Sequence, residues 1–321
     1  MKVLVTGGAG YIGSITTAYL LDNGFEVNVL DNLSTGHEKF IDKRTKFFLG
    51  DILDGNSIIS AMTGCDAVVH LAGKIIVSES ILKPDFYKAN NHLGTLNILN
   101  SMKELSLNKL VFSSTCAVYG NPISKLIAED HPTNPINPYG ESKLLADNEI
   151  NRFSKANNLN SISLRFFNVG GSYKSRDNNL FGELHDEETH LIPKILNNKS
   201  VNIYGRNFES LDGTCVRDYV HVVDLARAIK LSLEMQNSGH HKIYNLGSGK
   251  GSSVLEVIAE AEKVMLSEII KNDCPAKDGD PAYLVADSKL ANTELGWISQ
   301  FSLNKIIEDS YAFNQALNLE I

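Results

Sequence analysis

The sequence has few cysteines and no long apolar run. Its four cysteines stand far apart among 321 residues and form no Cys-x-x-Cys pair, which excludes a dense disulfide framework and the common zinc motifs. This spacing is typical of free thiols in a reducing compartment. No apolar stretch approaches the roughly 18 residues of a membrane span, and the first residues are a predicted strand instead of a signal peptide. We therefore expect a cytoplasmic protein with no membrane partner.

Positive charge is also scarce. The chain has 30 Lys and Arg against 38 Asp and Glu, which gives a formal net charge of −8. A net negative field disfavours nucleic acid as a partner. An anionic small molecule would need local basic groups for the same reason.

With 43% hydrophobic residues, a chain of this length can bury about three-quarters of its unfolded surface. Two closely joined lobes are expected.

A glycine-rich turn follows the first apolar strand. Gly7, Gly10 and Gly13 are spaced Gly-x-x-Gly-x-x-Gly, and the helical pattern after them stops at Gly24. Such glycines allow a tight turn, close approach of the backbone to a pyrophosphate, and packing of helix on strand. The helix N-terminus then offers free N–H groups to the phosphates. The turn therefore predicts a dinucleotide site.

The second predicted strand, residues 25–30, ends at an acidic side chain. Asp31 stands about 20 residues past the glycines, where a carboxylate binds the ribose hydroxyls of NAD. The same negative charge repels the additional phosphate of NADP. Asp31 therefore favours NAD as the cofactor.

Tyr139 and Lys143 are four residues apart in a predicted helix, so their side chains share one face. An ordinary tyrosine has a pKa near 10, and forming its phenolate at pH 7 costs about 4 kcal/mol. A lysine cation about 4 Å away, at an effective dielectric constant of about 20, supplies roughly that free energy. The pair is therefore a candidate general base with its activating cation.

Apolar segments alternate with helical patterns through the first half of the sequence. Buried parallel strands are predicted at residues 46–49, 67–71, 110–112 and 161–166. The longer helices are predicted at residues 86–105 and 138–156. After Asn168 the pattern changes to a polar loop, residues 171–188, and to less regular elements.

The predicted fold class is α/β: a doubly wound parallel sheet (Rossmann) forms an NAD lobe, beside a smaller mixed α/β substrate lobe. We assign residues 1–168 to the NAD-binding domain and residues 169–321 mainly to the substrate-binding lobe. The chain is expected to return to the first lobe around residues 219–235. Residues 247–251 are predicted to turn into a helix that begins with a capping box, Ser253 and Glu256.

Six further sequence blocks accompany these motifs, at residues 113–120, 137–143, 165–168, 189–193, 212–221 and 244–247. In combination with the glycine turn and the Tyr-Lys pair, they resemble the extended short-chain dehydrogenase/reductase family, and within it the UDP-sugar 4-epimerases. The resemblance extends from Met1 to about Trp297. It therefore involves nearly the whole chain and not a single motif.

This resemblance implies reversible 4-epimerisation of UDP-galactose and UDP-glucose through a transient 4-keto sugar. NAD would accept the hydride from C4, return it to the other face of the sugar, and stay bound. In the family, the residue matching Tyr139 takes the proton of the 4-hydroxyl. The match of Lys143 lowers the pKa of that tyrosine and holds the nicotinamide ribose, and the match of Thr115 hydrogen-bonds the 4-hydroxyl.

The resemblance also implies the remaining cofactor contacts. The residues that match them are Gly7, Gly10, Tyr11, Ile12, Gly13, Asp31, Asn32, Asp51, Ile52, Leu71, Ala72, Gly73, Asn91, Tyr139, Lys143 and Phe166. One position departs from the family pattern, because a lysine often stands two residues past the match of Gly73. Here that residue is Ile75, and a lysine, Lys74, precedes it.

Contacts to the UDP-sugar are implied in the same way. The residues that match them are Thr115, Tyr139, Asn168, His190, Leu191, Arg217, Lys277, Asp280 and Tyr283. Lys277 stands where the family usually has arginine, which removes the bidentate fork for a phosphate. Tyr283 falls where residue size controls the space beside C2 of the sugar, so its bulk favours glucose and galactose over their N-acetylated forms.

Two clusters have a simpler interpretation than a reactive site. Glu183, His185, Asp186, Glu187, Glu188 and His190 resemble metal ligands in composition but lack a helical spacing, so an acidic solvent loop is favoured and no metal is predicted. Cys116 follows Thr115 without an activating neighbour in the sequence. It is interpreted as a packed thiol.

Other functions stay open on the residues alone. The alternatives are a 4-epimerase of UDP-GlcNAc/GalNAc or of UDP-xylose/arabinose, an NAD-dependent sugar-nucleotide dehydratase, and a non-catalytic NAD-binding module. A dehydratase needs an Asp-Glu pair after Thr115, where this chain has Cys116 and Ala117. The resemblance also implies a homodimer that pairs through two helices of the first lobe.

Overall fold

A seven-stranded parallel sheet forms the centre of the protein. The computed structural model describes residues 1–185, 188–235, 240–277 and 280–319. The strands are β1 (Lys2–Thr6), β2 (Glu26–Asp31), β3 (Lys46–Leu49), β4 (Ala67–His70), β5 (Lys109–Thr115), β6 (Asn160–Phe166), β7 (Asn168–Gly170), β8 (Tyr173–Lys174), β9 (Leu180–Phe181), β10 (Ser200–Tyr204), β11 (Val216–His221), β12 (His241–Leu246), β13 (Gly251–Ser253), β14 (Ile270–Cys274) and β15 (Tyr283–Leu284).

Helices connect most of these strands. They are α1 (Tyr11–Asp22), α2 (Gly55–Met62), α3 (Val77–Leu82), α4 (Pro84–Tyr87), α5 (Gly94–Glu104), α6 (Pro138–Asn157), α7 (Leu191–Asn198), α8 (Val222–Glu234), α9 (Val254–Met265), α10 (Lys289–Leu295) and α11 (Leu303–Leu319). None of the helices in the described parts of the chain is long and apolar enough to cross a lipid bilayer.

The strand order reverses between β1 and β4. From edge to edge the order is β3, β2, β1, β4, β5, β6 and β12, and all neighbouring strands are parallel. Val3 of β1 lies opposite Val27 on one side and Ala67 on the other. In an open parallel sheet, ligands bind at the carboxyl ends of the strands beside such a reversal. The predicted doubly wound α/β fold is confirmed.

Helices cover both faces of the sheet because its central strands are apolar on both faces. On one face, Val3 packs in a cluster that includes Leu225 of α8. On the other face, Leu4 packs with Ile98 of α5 and Ile150 of α6. The covered sheet therefore holds the strand ends, and the side chains that follow them, in fixed positions.

The chain returns to the central sheet through α8 and β12. β12 pairs with β6 from His241 to Leu246, and α8 buries Leu225, Ile229 and Leu233 beside β1. A separate apolar cluster joins α7, α9 and α11 to β10. The division of the chain at residue 168 into a cofactor part and a substrate part stays a prediction.

The predicted helix at residues 86–105 is not one regular α-helix. It consists of the end of α4, a π-helical turn at Lys88–Leu93, and α5. Within the π turn, the Asn91 amide Nδ2 donates to the carbonyl of Lys74 at 3.0 Å and to Ser142 Oγ at 3.0 Å. π turns are frequent next to functional sites. Propensity could not reveal this one, because its stabilising partners are distant in sequence.

Two predictions about loops had different outcomes. The capping box is confirmed: Ser253 Oγ accepts the N–H of Glu256 at 3.1 Å, and the Glu256 carboxylate accepts the N–H of Ser253 at 2.7 Å. The polar loop at residues 171–188 contains a short antiparallel pair, in which Tyr173 lies opposite Phe181. That pair forms because Phe181 is buried in an apolar cluster with α1 and α11.

Leu225→Ala should lower the free energy of unfolding by about 2–5 kcal/mol, because Leu225 is fully buried and its truncation leaves a cavity. Leu211→Ala is the matched control, since Leu211 is fully exposed, and it should change stability by less than about 0.5 kcal/mol. Melting temperatures measured by differential scanning fluorimetry test the difference. Equal melting temperatures for the two variants would show that α8 does not depend on this packing.

Candidate active site

A cleft with a volume of about 480 Å³ lies at the carboxyl ends of the sheet strands, beside the reversal of strand order. Most predicted site residues line it: Gly7, Gly10, Tyr11, Ile12, Gly13, Asp31, Asn32, Ile52, Leu71, Ala72, Gly73, Thr115, Tyr139, Lys143, Phe166, Asn168, His190 and Leu191. The other predicted residues stand outside its lining: Asp51, Asn91, Arg217, Lys277, Asp280 and Tyr283.

The glycine turn packs too closely for side chains. Gly7 has a φ of +72°, and a Cβ there would lie 2.7 Å from the backbone nitrogen of Ala72. A Cβ at Gly13 would overlap the carbonyl oxygen of Gly7. Gly10 precedes α1 and has no side chain to cap the first N–H groups of the helix. The cleft is therefore shaped for a group that approaches the backbone closely, such as a pyrophosphate.

Asp31 is connected to the glycine turn. Its carboxylate accepts the N–H of Ala9 at 2.9 Å and the N–H of Leu33 at 2.8 Å. Asn32 beside it donates from Nδ2 to Asp51 Oδ2 at 2.8 Å. Asp51 therefore stands behind Asn32 and holds it at the cleft wall, instead of lining the cleft itself.

Lys74 extends across the same end of the cleft. Its Nζ donates to Ser34 Oγ at 2.8 Å, and both residues line the cleft. Burial lowers the pKa of the Lys74 ammonium, while Glu79, Asp51 and Asp31 raise it. The shift of lysine from position 75 to position 74 thus leaves a cation at the cleft.

Asn91 was predicted to contact the cofactor, but it lies outside the cleft lining and bonds to other residues of the protein. Its Oδ1 accepts the N–H of Lys74 at 2.8 Å, and its Nδ2 donates to Ser142 Oγ at 3.0 Å. With all of these partners inside the protein, Asn91 fixes the Gly73–Lys74 backbone against α6. Its neighbour Asn90 lines the cleft.

Thr115, Tyr139 and Lys143 meet in the cleft from two elements. Thr115 is the last residue of β5, and α6 carries the other two. α6 begins after Asn137, whose side chain accepts the N–H of Gly140 at 2.8 Å, and Pro138 occupies the first helical position. This local start of the helix places Tyr139 and Lys143 one turn apart, at the end of the strand.

Burial is the largest electrostatic effect on the pair. It raises the pKa of the Tyr139 phenol to about 12, and the hydrogen bond with the Thr115 hydroxyl lowers that pKa in part. Burial also lowers the pKa of the Lys143 ammonium to about 8. That Lys143 lowers the pKa of Tyr139 stays a prediction. The Lys143 ammonium donates to the Ser113 carbonyl at 2.9 Å.

Sequence reasoning missed two side chains that support Tyr139. The Tyr87 ring packs edge-on against the Tyr139 ring, with 6.5 Å between ring centroids. The Tyr87 hydroxyl donates to the Glu79 carboxylate at 3.0 Å, and both residues line the cleft. Neither residue belongs to a motif, so only their tertiary contacts reveal them.

The predicted phosphate and ribose contacts are paired with each other. Arg217 Nη2 donates to Asp280 Oδ1 at 2.5 Å, and Arg217 Nη1 donates to the carbonyl of Pro281 at 2.8 Å. Lys277 Nζ lies over the Tyr204 ring, 4.1 Å from its centroid. These groups form a charged cluster apart from the cleft lining. Asp278 and Gly279 of the same predicted motif lie outside the described residues.

Tyr283 does not reach the cleft. Its ring lies 5.2 Å from Lys125 Nζ and lines a separate surface cavity. Successive residues of a strand point to opposite faces. Leu284 therefore points the other way and packs in a cluster that includes Cys116 and Phe167, which both line the cleft. Leu284 is thus the residue of β15 that packs against the wall of the cleft.

Cys116 is a packed thiol, as predicted. Burial raises the pKa of its thiol to about 12, and Arg217 lowers it in part. A thiol with this pKa is protonated near neutral pH and is a poor nucleophile. Cys116 therefore belongs to the wall of the cleft and not to its chemistry.

Comparison with known proteins agrees with the geometry of the cleft. The family described as "NAD dependent epimerase/dehydratase family" matches residues 3–247. The chain belongs to this family. A curated UDP-glucose 4-epimerase from Corynebacterium glutamicum is 42% identical, over 99% of this chain and 97% of that protein.

Solved structures of other members have the same architecture. A UDP-glucose 4-epimerase from Stenotrophomonas maltophila, solved with bound NAD and formylated UDP-arabinopyranose, has a TM-score of 0.95 and 33% identity and covers 100% of both chains. One from Bifidobacterium longum, in complex with NAD⁺ and UDP, has a TM-score of 0.93 and 34% identity and also covers 100% of both chains. The likeness therefore extends over the whole chain.

In this family member, Gly13→Ala should lower the melting temperature by several degrees, because the new methyl group would overlap the Gly7 carbonyl. Gly55→Ala is the matched control, since a Cβ at Gly55 meets no atom within 4 Å, and it should leave stability unchanged or slightly raised. Thermal unfolding monitored by circular dichroism measures both. A Gly13→Ala variant as stable as Gly55→Ala would contradict the close packing of the turn.

Proposed function

We propose that this chain is an NAD-dependent isomerase that interconverts UDP-galactose and UDP-glucose by reversal of the configuration at C4 of the sugar. The meeting of Thr115, Tyr139 and Lys143 beside a glycine turn is the observation that carries this proposal. The names of relatives about 40% identical over nearly the whole chain support the choice of sugar nucleotide.

NAD fits the residues at the carboxyl ends of β1 and β2. The glycine turn leaves room for the pyrophosphate, because side chains at Gly7 and Gly13 would fill that space. Asp31 would bind the adenosine ribose and repel a phosphate attached to it. Lys74 and Lys143 are the cationic side chains that line the described cleft.

When bound, NAD would supply hydride chemistry at C4 of the sugar. The residues of the chain move the proton. Tyr139 takes the proton of the 4-hydroxyl and later returns it, while Thr115 hydrogen-bonds that hydroxyl and the phenol. Because burial raises the pKa of Tyr139, its ionisation depends on positive charge nearby. The Lys143 ammonium supplies one such charge.

The substrate end of the cleft would bind the UDP-sugar through Asn168, His190 and Leu191, which line it. Arg217, Lys277 and Asp280 would hold the nucleotide. The bond to Asp280 uses one N–H of the Arg217 guanidinium, which has further N–H donors for a phosphate oxygen.

The chemistry at the end of β5 separates this proposal from its rivals. An elimination of water from the sugar requires an acid and a base after Thr115, and Cys116 and Ala117 supply neither. A module that only binds NAD has no need of Thr115, Tyr139 and Lys143 together. Both facts favour an isomerase.

The proposal also includes the oligomeric state, the location and the metabolic role of the protein. We infer a homodimer that pairs through helices of the first lobe, because Leu82 and Leu93 on that side are exposed apolar residues. A cytoplasmic location is inferred from the free thiols. A role in galactose metabolism follows from the proposed reaction.

The purified protein should convert UDP-galactose to UDP-glucose without added NAD. The sugar nucleotides are followed by NMR or chromatography. Conversion to an equilibrium mixture would establish an epimerase that carries its own cofactor. No conversion, even with NAD added, would overturn the proposal and direct attention to another UDP-sugar.

Tyr139→Phe should lower the turnover number by roughly 10²–10⁴-fold, because the phenylalanine cannot accept a proton. Bound NAD, measured after denaturation of the purified protein, should be unchanged. Tyr311→Phe in α11 is the control and should have ordinary turnover. Near-normal turnover of Tyr139→Phe would remove Tyr139 as the base.

Leu284→Ala should increase the activity toward UDP-GlcNAc, because Leu284 faces the cluster at the cleft wall and its truncation opens space there. Tyr283→Ala is the matched control on the opposite face of β15 and should leave the choice of substrate unchanged. The ratio of kcat/KM for UDP-GlcNAc and UDP-glucose measures the effect. A larger gain with Tyr283→Ala would restore Tyr283 as the specificity residue.

A further inference from the structure

Two histidines and two glutamates converge beside the cleft, and of these four only His190 is among the residues proposed to bind the UDP-sugar. Each of Glu183, His185, Glu188 and His190 offers one ligand atom, and these four atoms lie within 4.8 Å of one another. Asp186 and Glu187, which the sequence groups with them, lie outside the described residues. The arrangement differs from the predicted acidic solvent loop, because the Glu183 side chain is only 8% exposed and that of Glu188 only 12%.

The ligand atoms are already near the separations that a small cation requires. His190 Nδ1 lies 2.5 Å from Glu183 Oε1 and 3.6 Å from Glu188 Oε1, and His185 Nε2 lies 3.2 Å from Glu183 Oε1. Four nitrogen and oxygen ligands placed tetrahedrally around zinc, at about 2.0–2.2 Å, stand roughly 3.4 Å apart. The observed separations bracket that value, so side-chain adjustments of less than about 1 Å would complete the shell.

The composition of the cluster selects the class of metal. Two imidazoles with two carboxylates suit Zn²⁺ and Co²⁺, whereas Mg²⁺ prefers oxygen ligands and retains its waters. Two nearby carboxylates that are mostly buried also need positive charge, and a divalent cation neutralises both at once. Glu183, His185 and His190 line the cleft, which gives an entering ion a path.

We propose that Glu183, His185, Glu188 and His190 form a binding site for one divalent transition-metal ion of the zinc class, next to the residues of the proposed reaction. The ion replaces the proton that His190 Nδ1 shares with Glu183. It joins the segment after β9 to the residue that precedes α7. The bound ion therefore stabilises this wall of the cleft.

Titration with CoCl₂ and ZnCl₂ tests the site in the purified holoenzyme after chelator treatment and desalting. One Co²⁺ per chain should bind and give the strong visible bands of four-coordinate cobalt, without the charge-transfer band of a thiolate ligand. ZnCl₂ should displace it and raise the melting temperature, and MgCl₂ should do neither. The absence of saturable binding by the wild type, or a thiolate band, would overturn the proposal.

Variants outside the proposed reaction locate the ion. His185→Asn and Glu188→Gln should each weaken Co²⁺ binding at least tenfold. His131 is a half-buried histidine outside the cluster, so His131→Asn should bind Co²⁺ as the wild type does. Circular dichroism confirms that each variant is folded. Wild-type affinity in both cluster variants would also overturn the proposal, and a failure of one variant to fold leaves the other to decide.

Discussion

The close packing of the glycine turn on the end of the neighbouring strand is the constraint on which the site depends. Gly7 lies against Ala72 and Gly13 against Gly7, so the backbone of β1, α1 and the residues after β4 meet without intervening side chains. The same packing directs the N-terminus of α1 into the cleft. The reversal of strand order between β1 and β4 supplies the space that this helix end faces.

Burial then shifts the pKa values of the proposed reacting groups. Tyr139 and Lys143 lie at the end of a sheet whose faces are covered, and the loss of water raises the pKa of the phenol and lowers the pKa of the ammonium. Both shifts favour the neutral forms. If Tyr139 is the base, we expect its ionisation to depend on positive charge that arrives with the ligands.

Local patterns predicted the regular elements better than the contacts between them. The strands at residues 46–49 and 161–166 were predicted from their apolar residues and are present as β3 and β6. β6 is buried, whereas β3 is an edge strand whose residues are exposed or half-buried, so the prediction of a buried strand at 46–49 was wrong. The π turn around Asn91 was missed because its stability comes from hydrogen bonds to Lys74 and Ser142. Tyr283 was placed in the site from its position in a motif, yet the alternation of β15 directs it away.

The amino-acid sequence by itself determined the glycine turn, the order of strands and helices, and the Tyr139–Lys143 pair, because these depend on backbone freedom and on spacing along one element. Only the tertiary structure decided which side chains face the cleft, the pairing of Arg217 with Asp280, and the gathering of Glu183 with His190. Those outcomes depend on the direction of each side chain and on its competition for partners among residues distant in sequence. The periodicity of the sequence carries no information about side-chain direction or about this competition for partners.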